Sequence, residues 1–335
     1  MDCRAFPKVE LHRHLEGSLR LGTILDLAKV HGRTLPGATA EELACFAQVL
    51  EPMDSLQAVL DAFDIFQHTF LSLEAVERIA FEAVEDAARD NIRLLELRFS
   101  PDFMARPVGL DWDLLMEALL RGTKRGEAKT GTLVGLIAIV SRSYGLQSAR
   151  ETAAFASNWH RELVGFDLAD AEEAIEARAL ADAIAPIHRI GLPLTVHSGE
   201  NTPASHIRES VEVLGARRIG HGVSLIDDDG LIDDFIERGI HIEACPTSNL
   251  RTRAVPSLGA HPALELLGRG VSVSLNSDDP GLFGITLSHE LDVAQDALGF
   301  GDDAIRRANL HALEASFVGR DRKEALLQAT PEWSA

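Results

Sequence analysis

The chain has 335 residues, with 32 Lys and Arg against 52 Asp and Glu, a formal net charge of −20. Hydrophobic residues make up 46% and charged ones 25%, which excludes wholesale disorder, and the length suffices for a sizeable core. The acidic balance repels phosphate backbones and argues against nucleic-acid binding, while a small neutral or cationic substrate stays open.

Met1 to Arg20 are dense in charge, and no run approaches the roughly 18 apolar residues of a membrane span, so neither a signal peptide nor a membrane partner is expected. Cys3, Cys45 and Cys245 are odd in number, scattered and without CxxC spacing. That disfavours a disulfide framework and a cysteine zinc site, and points to the reducing cytoplasm. No feature of the sequence fixes an oligomeric state.

In chain order, short apolar runs predict strands at Val9–His14, Ile92–Phe99, Thr132–Val140, Leu163–Leu168, Leu192–His197, Arg218–His221, His241–Cys245 and Ser272–Leu275. Helical patterns fall between them at Leu73–Arg89, Trp112–Lys129, Pro203–Leu214 and Asp228–Glu237. Leu73–Arg89 places Val76, Ile79, Ala80 and Ala83 on one face with charges opposite. Apolar strands alternating with helices imply a parallel sheet covered on both faces, and eight of them fit a single (β/α)8 TIM-type barrel. The surplus residues read as insertions, Gly32–Phe70 after the first strand and a helical tail after Asp302. With no Pro/Ser linker or shift in composition, residues 1–335 read as one domain.

The chemistry-bearing residues cluster at predicted strand ends. His12 and His14, in VELHRHLEG, share one strand face by period-two alternation and could share a metal ion; alone, they read sooner as polar residues on a solvated turn, since two histidines two apart arise often by chance. His197 and Glu200 close LTVHSGE, where Gly199 permits a tight turn, although Glu200 also suits a helix start. His221 lies between two glycines in RIGHG, which suggests close backbone approach to a ligand or a neighbouring strand. Asp278 and Asp279, in LNSDDP, are adjacent carboxylates that need a cation or protons if buried; Asp, Pro and Gly equally suit a turn.

Their joint position at the C-terminal ends of different strands favours the functional reading, because barrel enzymes build their sites there. Three histidines and one aspartate make a mononuclear zinc-type shell with acid and base beside it. None of the five lysines lies in the predicted third or fourth strand, so a bridging lysine for a second metal is missing.

The segments PKVELHRHLEGS, LELRFSP, HSGE, RIGHG, CPTSN and LNSDDP, in this order from Phe6 to about Phe317, resemble the adenosine deaminase family of metal-dependent hydrolases. The resemblance implies one Zn²⁺ per chain on His12, His14, His197 and Asp278. It implies Glu200 as proton donor to purine N1, with His221 and Asp279 orienting the attacking water, and a 6-aminopurine substrate. Phe63 and Phe66 resemble the family's apolar lid; ordinary helix core is the competing reading. Arg98, Ser100, Ser248, Asn249 and the apolar Cys245 read as structural braces.

Two departures bear on the substrate. Glu16 stands in HLEG where adenosine-specific members have H-x-H-L-D-G, with the acid near the sugar. Asp170 stands in Asp167-Leu168-Ala169-Asp170 where the family commonly ends D-L-A-G, with the glycine amide near purine N3; Asp170 could instead face solvent or cap the next helix. The expected reaction is deamination of a 6-aminopurine nucleoside, adenosine first. Aminodeoxyfutalosine, adenine or an N6-substituted adenine stand as alternatives, and a catalytically idle binding protein as a rival of another class.

Overall fold

The computed structural model describes residues 1–53 and 56–333. Eight strands, β1 (Lys8–His14), β2 (Ile92–Phe99), β3 (Leu133–Ser141), β4 (Leu163–Ala169), β5 (Leu194–Ser198), β6 (Arg218–His221), β7 (His241–Ala244) and β8 (Ser272–Leu275), pair in parallel in sequence order. This is the expected barrel. Strand ends shift where proline intervenes. Pro193 cannot donate to a ladder, and β5 begins after it; Pro246 opens the helix Pro246–Arg251, so Cys245 leaves β7.

The seam between β8 and β1 is stitched by special groups rather than a regular ladder. Asn276 Oδ1 accepts from the Leu11 and His12 amides at 2.9 and 3.2 Å. One isolated bridge follows, with Asp278 N–H donating to His12 O at 3.0 Å and His14 N–H to Asp278 O at 2.9 Å. Barrel closure therefore sets β1 and the post-β8 segment side by side.

Helices Leu73–Arg89 and Trp112–Thr130 pack against each other outside the barrel. Ser72 and Asp111 cap their N-termini, and Val76, Ile79, Ala80 and Ala83 form the buried face. Gly122 and Gly126 permit the approach: a Cβ at Gly122 would run into Glu77 O, and one at Gly126 would lie 2.6 Å from Val84 Cβ. The insertion after β1 carries helices Ala40–Ala47 and Leu56–Gln67, and the tail carries Asp302–Ala315 and Arg320–Ala329. Among the described residues no helix is long and apolar enough to cross a membrane.

Candidate metal centre and catalytic pocket

His12, His14, His197 and Asp278 come together at the C-terminal mouth of the barrel, with one ligand atom from each lying within 4.8 Å of all the others. His12 Nε2 and His14 Nε2 stand 3.2 and 3.3 Å from Asp278 Oδ1, and His14 Nε2 is 3.2 Å from His197 Nε2. Those spacings match the edge of a tetrahedron around a cation with ligand distances of about 2.0 Å. His12 Nε2 is buried and has no hydrogen-bond partner in the protein, which leaves its lone pair to an ion. The donor set fits one divalent metal. β3 and β4 contain no lysine, so no bridging lysine serves a second one.

Carboxylates fix two of the imidazoles from behind. His12 Nδ1 meets Glu243 Oε2 at 2.8 Å, and His197 Nδ1 meets Asp167 Oδ1 at 3.1 Å, which turns each Nε2 towards the mouth. Arg98 spans both acids, 2.8 Å from each, and donates to Leu11 O at 2.7 Å. Burial would raise Asp167 and Glu243, but Arg98 and the histidines hold both well below the usual carboxylate range. Burial holds the His197 imidazole neutral, as a metal ligand requires.

Sequence reasoning took Arg98 as a strand brace and passed over Asp167 and Glu243. A charged residue inside an otherwise apolar strand, as in GFDLA and HIEA, is a signal that could have found them, since buried charge needs a partner.

Asp278 and Asp279 are both buried, at 5% and 7% exposure. Burial raises both, but the adjoining imidazoles of His12 and His14 hold Asp278 well below the usual carboxylate range, whereas burial and the neighbouring Asp278 push Asp279 well up. Ser248, expected as a loop brace, donates directly to Asp278 Oδ2 at 2.7 Å. Burial keeps Cys245 a neutral thiol.

Glu200 faces the same cavity. Its Oε1 accepts from Thr252 Oγ1 at 2.7 Å and Asn249 Nδ2 at 3.4 Å, while Oε2 lies 3.8 Å from His221 Nε2. The loop bearing it is tied down by Glu172, which accepts from the Gly199, Glu200 and Asn201 amides at 2.6, 3.0 and 3.2 Å. Gly199 has φ +72°, the turn its position suggested. Gly220 lets β6 approach His12: a Cβ there would lie 2.9 Å from His12 Cε1. Asn249, another expected brace, contacts His221 Nδ1 at 3.0 Å. Thr252 and Glu172 lacked any local sequence signal.

The cavity measures about 420 Å³ and is lined by His14, His197, Glu200, His221, Asp278 and Asp279 together with Glu16, Phe63 and Asp170. Phe63 meets Phe103 edge to face at 6.4 Å, whereas Phe66 is fully buried in the core and forms no part of the lining. Glu16 accepts from the Ser100 amide through Oε1; its Oε2 is buried without a partner, and burial pushes the carboxyl up to about 8. Asp279 Oδ1 is likewise buried and unpartnered. Asp170 adopts φ +70°, a conformation that favours glycine, and its exposed side chain accepts from Ala171 N–H at 2.8 Å. No lysine or arginine lines the cavity, and residues 54–61 contain neither.

A family model described as Adenosine deaminase matches residues 7–333. An adenosine deaminase of Klebsiella pneumoniae is 38% identical over 97% of both chains, and one of Shigella flexneri 37% over 96% of both. Among solved structures, an adenine deaminase from Arthrobacter aurescens superposes with TM-score 0.90 at 28% identity, covering 98% of this chain and 99% of that one. An amidohydrolase from Burkholderia ambifaria with bound Zn gives TM-score 0.87 at 25% identity, covering 99% and 92%. The N6-methyl-AMP deaminase from Arabidopsis thaliana gives 0.83 at 28%, covering 98% and 97%.

Proposed function

The chain belongs to the adenosine deaminase family of metal-dependent hydrolytic deaminases, and from there we propose that it deaminates a neutral 6-aminopurine nucleoside, adenosine to inosine and ammonia. The observation that carries this reading is one cavity joining a three-histidine, one-aspartate cluster to Glu200, with no cationic side chain in its lining. A 5′-phosphate or a substrate carboxylate would meet an acidic lining that holds neither lysine nor arginine among the described residues. That weighs against a nucleotide, and against aminodeoxyfutalosine with its benzoate. Free adenine stays the neutral alternative, supported by the likeness to an adenine deaminase.

His12, His14, His197 and Asp278 would hold one Zn²⁺, which when bound supplies the Lewis acidity that lowers a water's pKa towards about 7. Glu200 gives a proton to N1, which moves electron density off the ring and makes C6 electrophilic. His221 and Asp279 orient water at the C6 face. The oxygen of water becomes the 6-oxo group as the C6–N bond breaks; one of its protons leaves with the amino group as ammonia, and the other restores the proton that Glu200 gave to N1. The Glu16 carboxyl lies on the sugar side, Phe63 covers the bound ligand, and the Asp170 amide faces N3. The three cysteines are free, which fits the reducing cytoplasm.

Ammonia release and ultraviolet difference spectra on adenosine, 2′-deoxyadenosine, adenine, N6-methyl-AMP and aminodeoxyfutalosine test the proposal. Adenosine should exceed both anionic substrates in kcat/KM by at least about tenfold, the cost of one uncompensated charge near a protein surface. Preference for an anionic substrate, or no ammonia from any, would overturn it.

A further inference from the structure

We propose that Thr252 is a positioning residue for the proton donor, its hydroxyl holding Oε1 of Glu200 so that the transferable proton is confined to Oε2. This rests on the reading of Glu200 as the acid.

Among the described residues two donors reach the Glu200 carboxyl, Thr252 Oγ1 at 2.7 Å and Asn249 Nδ2 at 3.4 Å, and they converge on the same oxygen. In a protonated carboxyl the carbonyl oxygen is the stronger acceptor and the hydroxyl oxygen the weaker. Two donors on Oε1 therefore favour the form with the proton on Oε2. Oε2 is the oxygen beside His221, 3.8 Å from its Nε2, on the side where His197 and Asp278 gather.

The polarity of this arrangement follows from bonds outside the pocket. The Ala263 amide donates to His261 Nδ1 at 3.2 Å, so the single ring proton of a neutral His261 sits on Nε2. Burial lowers that imidazole to about 4 and keeps it neutral. His261 Nε2 then donates to Asn249 Oδ1 at 3.1 Å, which turns the Asn249 amide nitrogen towards His221 and Glu200. Asn249 thus approaches Glu200 as a donor, and Thr252, with the shorter bond, does so from the end of helix Pro246–Arg251. Glu172 fixes the main chain of the Glu200 loop from the other side. Backbone and carboxyl head are held independently, as proton delivery at one atom requires.

The test compares Thr252→Val, which keeps the shape and loses the donor, with Thr252→Ser, which keeps the hydroxyl, each also in a Glu200→Gln background. Saturation kinetics on adenosine should show kcat about ten- to a hundredfold lower for Thr252→Val, the scale of one hydrogen bond to an ionisable group. KM should stay within about threefold, with metal content and melting temperature unchanged, and Thr252→Ser should recover kcat to within about threefold. In the Glu200→Gln background Thr252→Val should cost nothing further, because the two residues act as one unit. Normal kcat in Thr252→Val beside a collapsed Glu200→Gln would overturn the positioning role and leave the acid in place. A near-normal Glu200→Gln would overturn both. A rise in KM alone, a failed serine rescue, or a full additive loss in the double variant would show a structural role instead.

Discussion

Replacing Glu243 with glutamine removes one charge while preserving shape, at a point where every neighbour is a donor. Oε2 takes His12 Nδ1 and Arg98 Nη2, each at 2.8 Å; Oε1 takes Thr195 Oγ1 at 3.0 Å and lies 2.6 Å from Arg218 Nε. Whichever way the glutamine amide turns, its NH₂ faces two donors, and two fully buried guanidiniums lose a common counter-charge. Breaking a buried ion pair in this way costs about 3–5 kcal/mol, against a typical total stability of about 5–15 kcal/mol. His12 also loses its carboxylate partner, and such outer contacts are worth roughly 10–100-fold in metal affinity. Denaturant unfolding of the metal-free protein reads the first effect, and competition with a chromophoric zinc chelator the second. A stability loss below about 1 kcal/mol together with unchanged zinc affinity would refute the claim that Glu243 is the electrostatic hinge between the barrel interior and the metal cluster.

Asp278→Ala should purify folded but without metal and without activity, since the cluster loses its anion; wild-type metal content by elemental analysis would contradict the ligand set. Glu290 is buried, has an unpartnered Oε1, and is pushed by burial up to about 7. A carboxyl raised in the folded state binds more protons there than when unfolded, so its contribution to stability falls as pH rises from about 4.5 through 7. Glu290→Gln should therefore unfold at higher denaturant than wild type at pH 8, with the difference shrinking by pH 5; a pH-independent difference would exclude the linkage. Asp170→Gly removes a negative charge from the cavity rim and suits φ +70°. Its kcat/KM for AMP should rise about fivefold relative to adenosine, and equal changes on both substrates would remove Asp170 from specificity.

Much of the architecture was legible because the signals are local. Each buried strand announces itself as an apolar run, and the faces of His12 and His14 follow from alternation at about 3.3 Å per residue. Gly199 and Gly220 marked a turn and a close approach from composition alone, although the chain did not say that Gly220 makes room for the His12 ring. What the tertiary structure decided are pairings that no local period encodes. Glu243 reaches His12 across 231 positions because barrel closure brings β7 near β1, and Asp167 reaches His197 across 30 because β4 pairs with β5. Thr252 meets Glu200 across 52 positions, and Phe66 turns into the core while Phe63 lines the cavity, outcomes of packing rather than of any local period. Local sequence specifies which side chains leave a strand on which face; only the closed barrel specifies which buried charges meet, because their cost of burial is offset by partners that are distant in the chain.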